Sequence, residues 1–481
     1  MKQVGLLFNV FVLLLLYGIS RATTVPTREY TSEMMPSRVK RLTNSEDMIS
    51  VRYENHFTRY DSASLDSLIR DHIVTAHIPG LATWAFKNGQ IIWQQCYGYA
   101  NLEDSIELAD TTLFSLASIS KTITGTAIMQ LWERGLFELD DDINDYLPFN
   151  VRCPAYLDSS ITFRMLMTHT SSISYNDAIL DPLMVPWGDS PIPLGTFLQG
   201  YLVPGGSYYS TLNFNGSVPG TQYEYCEVAI ALLGYLVETI EDSFPIHCQD
   251  SIFHPLSMYE TSWFLANSDT NNLARGYHWT GTSYIRQPWW GAPFYPSFQL
   301  KSSSVELGRY LAAILQHGII DTVRILDSTT VELILSHQFE VAPDHWVGLV
   351  WHHIGWFFGN RWVWFHNGRI DGFDVIIGFC PEENSAVISF ANCDNYGCSW
   401  TIATALLDYA QQYAVEENGI RIVADMGIMP TIFRGPLQLP KDEQCKIYDI
   451  VGRVVEPARI RPGIYFIEVD GVVTQKVVKV R

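Results

Sequence analysis

Ser118 and Lys121 are the residues whose types and spacing first suggest chemistry. They lie three residues apart at the start of a helical pattern in which Ile123, Ala127 and Leu131 recur. If Ser118 opens this helix, Lys121 lies one turn further on the same face, where its amine can reach the serine oxygen. A lysine whose pKa is lowered by burial can take the serine proton, and the helix N-terminus can stabilise the developing oxyanion. The pair therefore predicts a serine nucleophile activated by lysine.

This spacing is weak evidence when it stands alone. An ordinary N-capping serine followed by a solvated lysine gives the same pattern. The chain also contains a second copy, Ser37 to Lys40, in a polar segment without helical periodicity, which we interpret as chance. The prediction for Ser118 therefore depends on residues elsewhere in the chain.

Two later segments carry side chains that move protons. Tyr225-Cys226-Glu227 follows the turn sequence Pro219-Gly220-Thr221. His366-Asn367-Gly368 lies further along the chain, among the later strand-like segments. A tyrosine hydroxyl both donates and accepts, and a histidine titrates near neutral pH. Each has a structural alternative: Tyr225 as a core residue, and Asn367-Gly368 as a simple hairpin turn.

The order of these segments resembles the β-lactamase-related serine hydrolases, which include class C β-lactamases, penicillin-binding proteins and their esterase and D-aminopeptidase relatives. The stretch from Phe114 to Pro148 is similar to the nucleophile helix of that family. The further landmarks follow in the family's order over roughly residues 60 to 415: residues 161–171, Pro219 to Gly234, Ser302 to Tyr310, and His366 to Gly368.

The resemblance assigns roles to residues around the nucleophile. Tyr225 would shuttle the proton between Ser118 and the leaving group. His366 and Gly368 would form the His-x-Gly version of the family's third motif, with the imidazole giving activity that depends on pH near neutrality. The backbone N–H of Arg369 would complete the oxyanion hole with that of Ser118.

Glu227 departs from the family pattern, which has asparagine at this position. An ionised glutamate only accepts hydrogen bonds and favours a protonated Lys121. Ester substrates are therefore expected before β-lactams. The expected function is an exported serine hydrolase cleaving an ester or amide through an acyl-enzyme, as an esterase, D-amino-acid peptidase or β-lactamase-like enzyme. The alternative is a penicillin-binding or peptidoglycan-peptide-binding protein without turnover.

The elements that position these residues predict an α+β fold. A helix ends at Ile78-Pro79-Gly80, and Asn88-Gly89 joins two strand-like segments. Strand patterns return after residue 360, with helices between. We expect an antiparallel sheet flanked by helices with an inserted mostly helical domain, β-lactamase/transpeptidase-like. The hydrolase domain would span 61–420, its sheet parts about 61–114 and 346–420 and its helical part about 115–345.

The two chain ends predict export. A lysine, an apolar run and small residues near Ala22 are typical of a signal peptide over residues 1–22, and residues 23–60 form a polar arm. Residues 426–481 have short strands with glycine turns and predict a small C-terminal β-sandwich. This tail resembles the type IX secretion sorting domain, which implies secretion or cell-surface display and a contact with the secretion machinery. A generic accessory domain remains the alternative.

Composition limits the partners. The net charge of −20 argues against a nucleic-acid partner, because such proteins cluster Lys and Arg. The expected partners are a small-molecule or peptide substrate, with peptidoglycan as a further candidate, and no metal or organic cofactor and no transmembrane segment in the mature chain. Trp289-Trp290, Phe294 and Tyr295 would either wall a substrate pocket or pack in the core. Cys393 and Cys398 are close enough in sequence to pair, or are buried free thiols.

Overall fold

The computed structural model describes residues 60–358, 361–413, 431–433, 445–449, 453–455, 460, 463–469 and 472–479. The predicted signal peptide, and the polar arm up to residue 59, lie outside the described residues, as does the chance copy at Ser37 to Lys40. The chain divides into two compact units, the first ending at Asp408 and the second beginning at Tyr409.

Among the described residues, five α-helices are 12 to 15 residues long and the others are shorter. In chain order they are α1 (Ser62–Thr75), α2 (Ser120–Glu133), α3 (Phe163–Met167), α4 (Asp177–Leu180), α5 (Leu194–Leu202), α6 (Glu227–Glu241), α7 (Phe244–Cys248), α8 (Ser304–Leu315), α9 (Ser328–Ile334) and α10 (Cys398–Gln412). Among the helices of the described ranges, none is long and apolar enough to cross a membrane.

The strands of the first unit form one large sheet and several short ribbons. In chain order they are β1 (Gly80–Lys87), β2 (Gln90–Asn101), β3 (Ile106–Glu107), β4 (Phe114–Ser115), β5 (Val185–Pro186), β6 (Gly276–Trp279), β7 (Tyr284–Gln287), β8 (Trp290–Gly291), β9 (Lys301–Ser302), β10 (Ile319–Ile320), β11 (Val323–Arg324), β12 (Phe339–Ala342), β13 (His345–Val347), β14 (His352–Phe358), β15 (Arg361–Ile370), β16 (Phe373–Cys380) and β17 (Ser385–Ala391).

The large sheet joins the two ends of the hydrolase region. Its strand order is β12-β13-β14-β15-β16-β17-β1-β2-β3, and its neighbours pair antiparallel, so β17 from the end of the region pairs with β1 from its start. Both strands are buried along their whole length, as expected for central strands covered on both faces. The predicted α+β class with an antiparallel sheet flanked by helices is confirmed.

Local sequence explains the hairpin between β1 and β2. Lys87 pairs with Gln90 across a two-residue loop, and both loop residues have positive φ, 47° at Asn88 and 86° at Gly89. Asn-Gly tolerates this geometry at low cost, as the sequence predicts. The sheet resumes at Phe339, earlier than the expected 346, because the short strands β12 and β13 lack a strong β pattern.

The second unit contains a single four-stranded sheet among its described residues. The strands are β18 (Thr431–Phe433), β19 (Cys445–Asp449), β20 (Gly463–Val469) and β21 (Val472–Lys479), in the order β18-β21-β20-β19. β18 runs parallel to β21 and the other pairs are antiparallel. Ile447, Ile460, Tyr465 and Ile467 form its small core. The strands expected for a C-terminal β module are therefore present as one sheet in these residues.

Candidate active site

Ser118 lies on a strained turn that leads into α2. It belongs to a 3-10 turn, Ala117–Ile119, that continues directly into the helix, and Ala117 has a φ of 44°. A non-glycine residue in this left-handed region is strained and persists only where its surroundings hold it. Leu116 donates its backbone N–H to the Leu300 carbonyl at 2.9 Å, which anchors the turn from one side.

Lys121 contacts the nucleophile from the first turn of α2. Its Nζ donates to Ser118 Oγ at 3.0 Å and to the Ser297 carbonyl at 2.8 Å, and its side chain is fully buried. Burial lowers the pKa of Lys121 to about 8, although the nearby charge of Glu227 raises that pKa in part. About one lysine in ten is then neutral at pH 7 and able to accept a proton.

Tyr225 contacts both Lys121 and Ser118. Lys121 Nζ lies 4.8 Å from the centroid of its ring. Burial and then the charge of Glu227 raise the pKa of Tyr225 well above its usual value, while a hydrogen bond with Ser118 opposes this in part. Tyr225 is therefore a neutral phenol that can pass a proton on, and not a standing phenolate base.

Glu227 is the first residue of α6, where a helix N-terminus favours a carboxylate. Its Oε1 lies 3.9 Å from Lys121 Nζ, too far for a hydrogen bond, and its side chain is 19% exposed. Its charge raises the pKa values of four tyrosines, Tyr175, Tyr201, Tyr223 and Tyr225, for which burial is the largest cause. The residue that departs from the family pattern is thus the second cause, after burial, of the shifted pKa values of Lys121 and Tyr225.

His366 and Gly368 lie inside β15, so the alternative of a simple Asn-Gly turn is wrong. His366, Asn367 and Gly368 pair with Ile377, Ile376 and Val375 of β16. A Cβ at position 368 would collide with the Leu116 carbonyl oxygen. Glycine at this position therefore lets the strand approach the nucleophile turn closely.

The imidazole of His366 does not titrate near neutrality. Burial, followed by the charge of Lys121, lowers its pKa to about 3. Its Nδ1 lies 2.8 Å from the carbonyl of Asn367, which can only accept, so Nδ1 carries the proton and Nε2 is the basic nitrogen. This corrects the expected pH dependence: the group near Ser118 that titrates close to physiological pH is Lys121.

Arg369 follows on the same strand, and its guanidinium lies over the ring of Tyr396. Burial lowers the pKa of Arg369 to about 10, with Asp374, Asp394 and Asp371 opposing the shift. Ser118, Lys121, Tyr225, Glu227 and His366 are linked by these contacts into one cluster. Gly368 and Arg369 join it through the strand that passes the nucleophile turn.

Two further histidines, to which the sequence assigned no role, line this cluster. The His169 ring lies 4.4 Å from that of Tyr225, and the His352 ring lies 5.7 Å from that of His366. Burial keeps the pKa values of both well below their usual value. His169 falls within the family landmark 161–171, which was its one signal. His352 had no signal in the sequence. Its neighbour His353 faces the other way and stacks on Trp364 at 4.1 Å.

The aromatic segment after Trp289 is largely core. Trp289, Phe294 and Tyr295 are buried, and Tyr295 begins the turn whose Ser297 carbonyl accepts from Lys121. Cys393 and Cys398 are buried free thiols with their sulfur atoms 3.4 Å apart.

A family model described as Beta-lactamase matches residues 65–408 of this chain. The chain belongs to the beta-lactamase family. This confirms the family that the sequence motifs predicted. The match ends before the C-terminal sheet, for which the sorting-domain resemblance remains a prediction.

Two proteins are similar in sequence to this chain over more than half of its length. Protein flp of Staphylococcus aureus strain N315 is 24% identical over 341 residues, which cover 70% of this chain and 64% of flp. An uncharacterized protein of Mycobacterium tuberculosis is 24% identical over 316 residues, covering 58% of this chain and 75% of that protein. This chain thus spans less than two thirds of the length of flp.

Two solved structures show the fold. The octameric penicillin-binding protein homologue from Pyrococcus abyssi matches with a TM-score of 0.59 and 20% identity, over 86% of this chain and 88% of that one. A class C beta lactamase from Rhodobacter sphaeroides matches with a TM-score of 0.55 and 22% identity, over 72% and 99%.

Proposed function

We propose that this chain is a serine hydrolase that cleaves an ester or amide through an acyl-enzyme on Ser118. The observation that carries the proposal is the 3.0 Å hydrogen bond between Lys121 Nζ and Ser118 Oγ, together with a lysine pKa of about 8. A base with a pKa near the working pH is effective in proton transfer.

The proposed steps conserve protons throughout. Neutral Lys121 accepts the Ser118 proton as the serine oxygen bonds to the substrate carbonyl carbon. The resulting oxyanion is held by the backbone N–H groups of Ser118 and Arg369. The bond to the leaving group then breaks, and the leaving group receives a proton through Tyr225, which is replenished from protonated Lys121. Water repeats the sequence on the acyl-enzyme and releases the acid.

A fluorophosphonate label tests the nucleophile directly. We expect wild-type protein to be labelled covalently at Ser118 and to hydrolyse short-chain p-nitrophenyl esters, whereas Ser118→Ala does neither. The matched control is Ser120→Ala, the neighbouring serine on the same helix, whose hydroxyl accepts from the Leu300 N–H at 3.0 Å and should retain labelling. Absence of labelling on folded wild-type protein would overturn the assignment.

Glu227 favours a second candidate function, a penicillin-binding or peptidoglycan-peptide-binding protein that is acylated without turnover. A carboxylate 3.9 Å from Lys121 holds more of the lysine protonated, which slows the water step as well as acylation. A fluorescent penicillin distinguishes the two: a stable label with no ester turnover supports the second function. Rapid release of the label together with ester turnover supports the hydrolase.

We also propose that the protein is exported and reaches the cell surface or medium. The signal-peptide pattern in residues 1–22 and the sorting-domain resemblance of residues 426–481 support this. Deleting residues 426–481 in a host with type IX secretion should leave the hydrolase domain in the periplasm. Unchanged delivery to the medium would refute the role of the tail.

A further inference from the structure

Two arginines lie against the ring of one tryptophan, Trp289. The Arg275 guanidinium carbon lies 4.0 Å from the Trp289 ring centroid, and that of Arg286 lies 5.8 Å from the same ring and 4.7 Å from Trp187. Arg286 is directly across the β6–β7 ribbon from Tyr277, two residues after Arg275. Side chains alternate along a strand, so this ribbon presents both cations on one face.

Neither guanidinium has a carboxylate partner within the described part of the chain. Nε and Nη1 of Arg275 and Nε of Arg286 are buried and have no hydrogen-bond partner there. The charges of Glu103 and Asp104 act on Arg275, but Glu103 accepts from the Tyr277 hydroxyl at 2.6 Å and Asp104 accepts from the Asn101 amide at 2.8 Å. Burial, followed by the charge of Arg286, lowers the pKa of Arg275, although a guanidinium remains charged. Buried donors without acceptors are costly, and a bound anion would remove that cost.

The ribbon lies beside the end of the catalytic strand. Ala274 donates its N–H to the Leu113 carbonyl at 2.9 Å, five residues before Ser118. A Cβ on Gly276 would lie 2.9 Å from Cα of Gly372, and Gly372 is four residues beyond Gly368. Four residues span at most about 14 Å of chain, so the ribbon is within reach of a substrate bound along β15.

We propose that Arg275 and Arg286 form a subsite for a carboxylate at the far end of the substrate's acyl group. This inference rests on the proposed acyl-enzyme function of Ser118. Guanidinium groups bind carboxylates through paired, charge-assisted hydrogen bonds, and a bound carboxylate would supply the acceptors that the buried N–H groups lack. The indole of Trp289 holds the two like charges in place before the ligand arrives.

Two p-nitrophenyl esters of equal chain length test the subsite. The octanoate ester has a neutral acyl end, and the monoester of suberic acid ends in a carboxylate. In the variant Arg275→Gln/Arg286→Gln, kcat/KM for the suberate ester should fall at least tenfold, the scale of lost charge-assisted hydrogen bonds. The value for the octanoate ester should stay within about twofold, which also shows that the variant folds.

Arg324→Gln is the control for the loss of surface charge. Arg324 is exposed, and the adjacent Ile325 carbonyl accepts from Gln130, about 18 Å along α2 from Ser118. This variant should leave the ratio of the two substrates unchanged. Equal losses on both esters in the double variant, or no loss on either, would overturn the subsite while leaving the hydrolase assignment intact.

If no ester is turned over, a binding measurement tests the carboxylate subsite separately from the hydrolase assignment. Suberate itself, titrated into Ser118→Ala, should change tryptophan fluorescence in a saturable manner, since Trp187 and Trp289 stack on the arginines. Adding Arg275→Gln/Arg286→Gln to that protein should abolish the change. A fluorescence response without saturation, or one that persists without the arginines, would refute the subsite independently of catalysis.

Discussion

Replacing Glu227 with glutamine removes a negative charge 3.9 Å from the amine of Lys121. At an effective dielectric constant of 20, two unit charges at this distance interact by about 4 kcal/mol, equivalent to about three pKa units. The carboxylate is 19% exposed and solvent screens part of this. We therefore expect the pKa of Lys121 to fall by one to two units from about 8.

The change should appear in the pH dependence of kcat/KM for a p-nitrophenyl ester. The ascending limb near pH 8 should move to about pH 6 to 7, and the rate at pH 7 should rise about five- to tenfold because at least half of the lysine is then neutral. The plateau at high pH should fall, because a base with a lower pKa is weaker. Glu227→Asn, which restores the family residue, should shift the limb in the same direction and increase turnover of amides or β-lactams.

Glu238→Gln is the matched control. Glu238 lies on the same helix eleven residues away, which is about 16 Å and beyond the screening length at physiological salt. Its profile should match the wild type. An unchanged or raised pKa in Glu227→Gln would refute the electrostatic reasoning. Loss of ester turnover at every pH would instead show that Glu227 takes part in the chemistry itself.

Three further outcomes follow from the site. Gly368→Ala should destabilise the fold by about 1–3 kcal/mol in urea unfolding and reduce ester turnover, since its Cβ collides with the Leu116 carbonyl; Gly378→Ala on β16, whose Cβ meets Val363 at 3.3 Å, should be tolerated. His366→Gln should leave the pH of half-maximal activity in place, because His366 has a pKa of about 3; a shift of the limb near pH 8 would contradict this. Lys121→Met should lower kcat/KM about 10²- to 10⁴-fold while the protein remains folded, and retained turnover would remove the lysine from the mechanism.

Motif order identified the family and the third motif, where local preference alone favoured a turn. Asn367-Gly368 has the composition of a hairpin turn, but pairing with β16 holds it in mid-strand. Tertiary pairing outweighs a turn preference because a central strand satisfies its backbone and buries its side chains along its length. By contrast, Asn88-Gly89 has no such competitor and forms the turn that its residues prefer.

The sequence by itself determined the α+β class, the family and the proximity of Lys121 to Ser118, because these depend on periodicity, order and a one-turn spacing. Only the tertiary structure decided the protonation states of the site residues. The pKa values of Lys121 and His366 follow from burial, and burial depends on contacts between residues far apart in the chain. The same holds for His169 and His352 against Tyr225, and for Arg275 and Arg286 on Trp289. Their spacing in sequence carries no signal, since packing of separate elements brings them together.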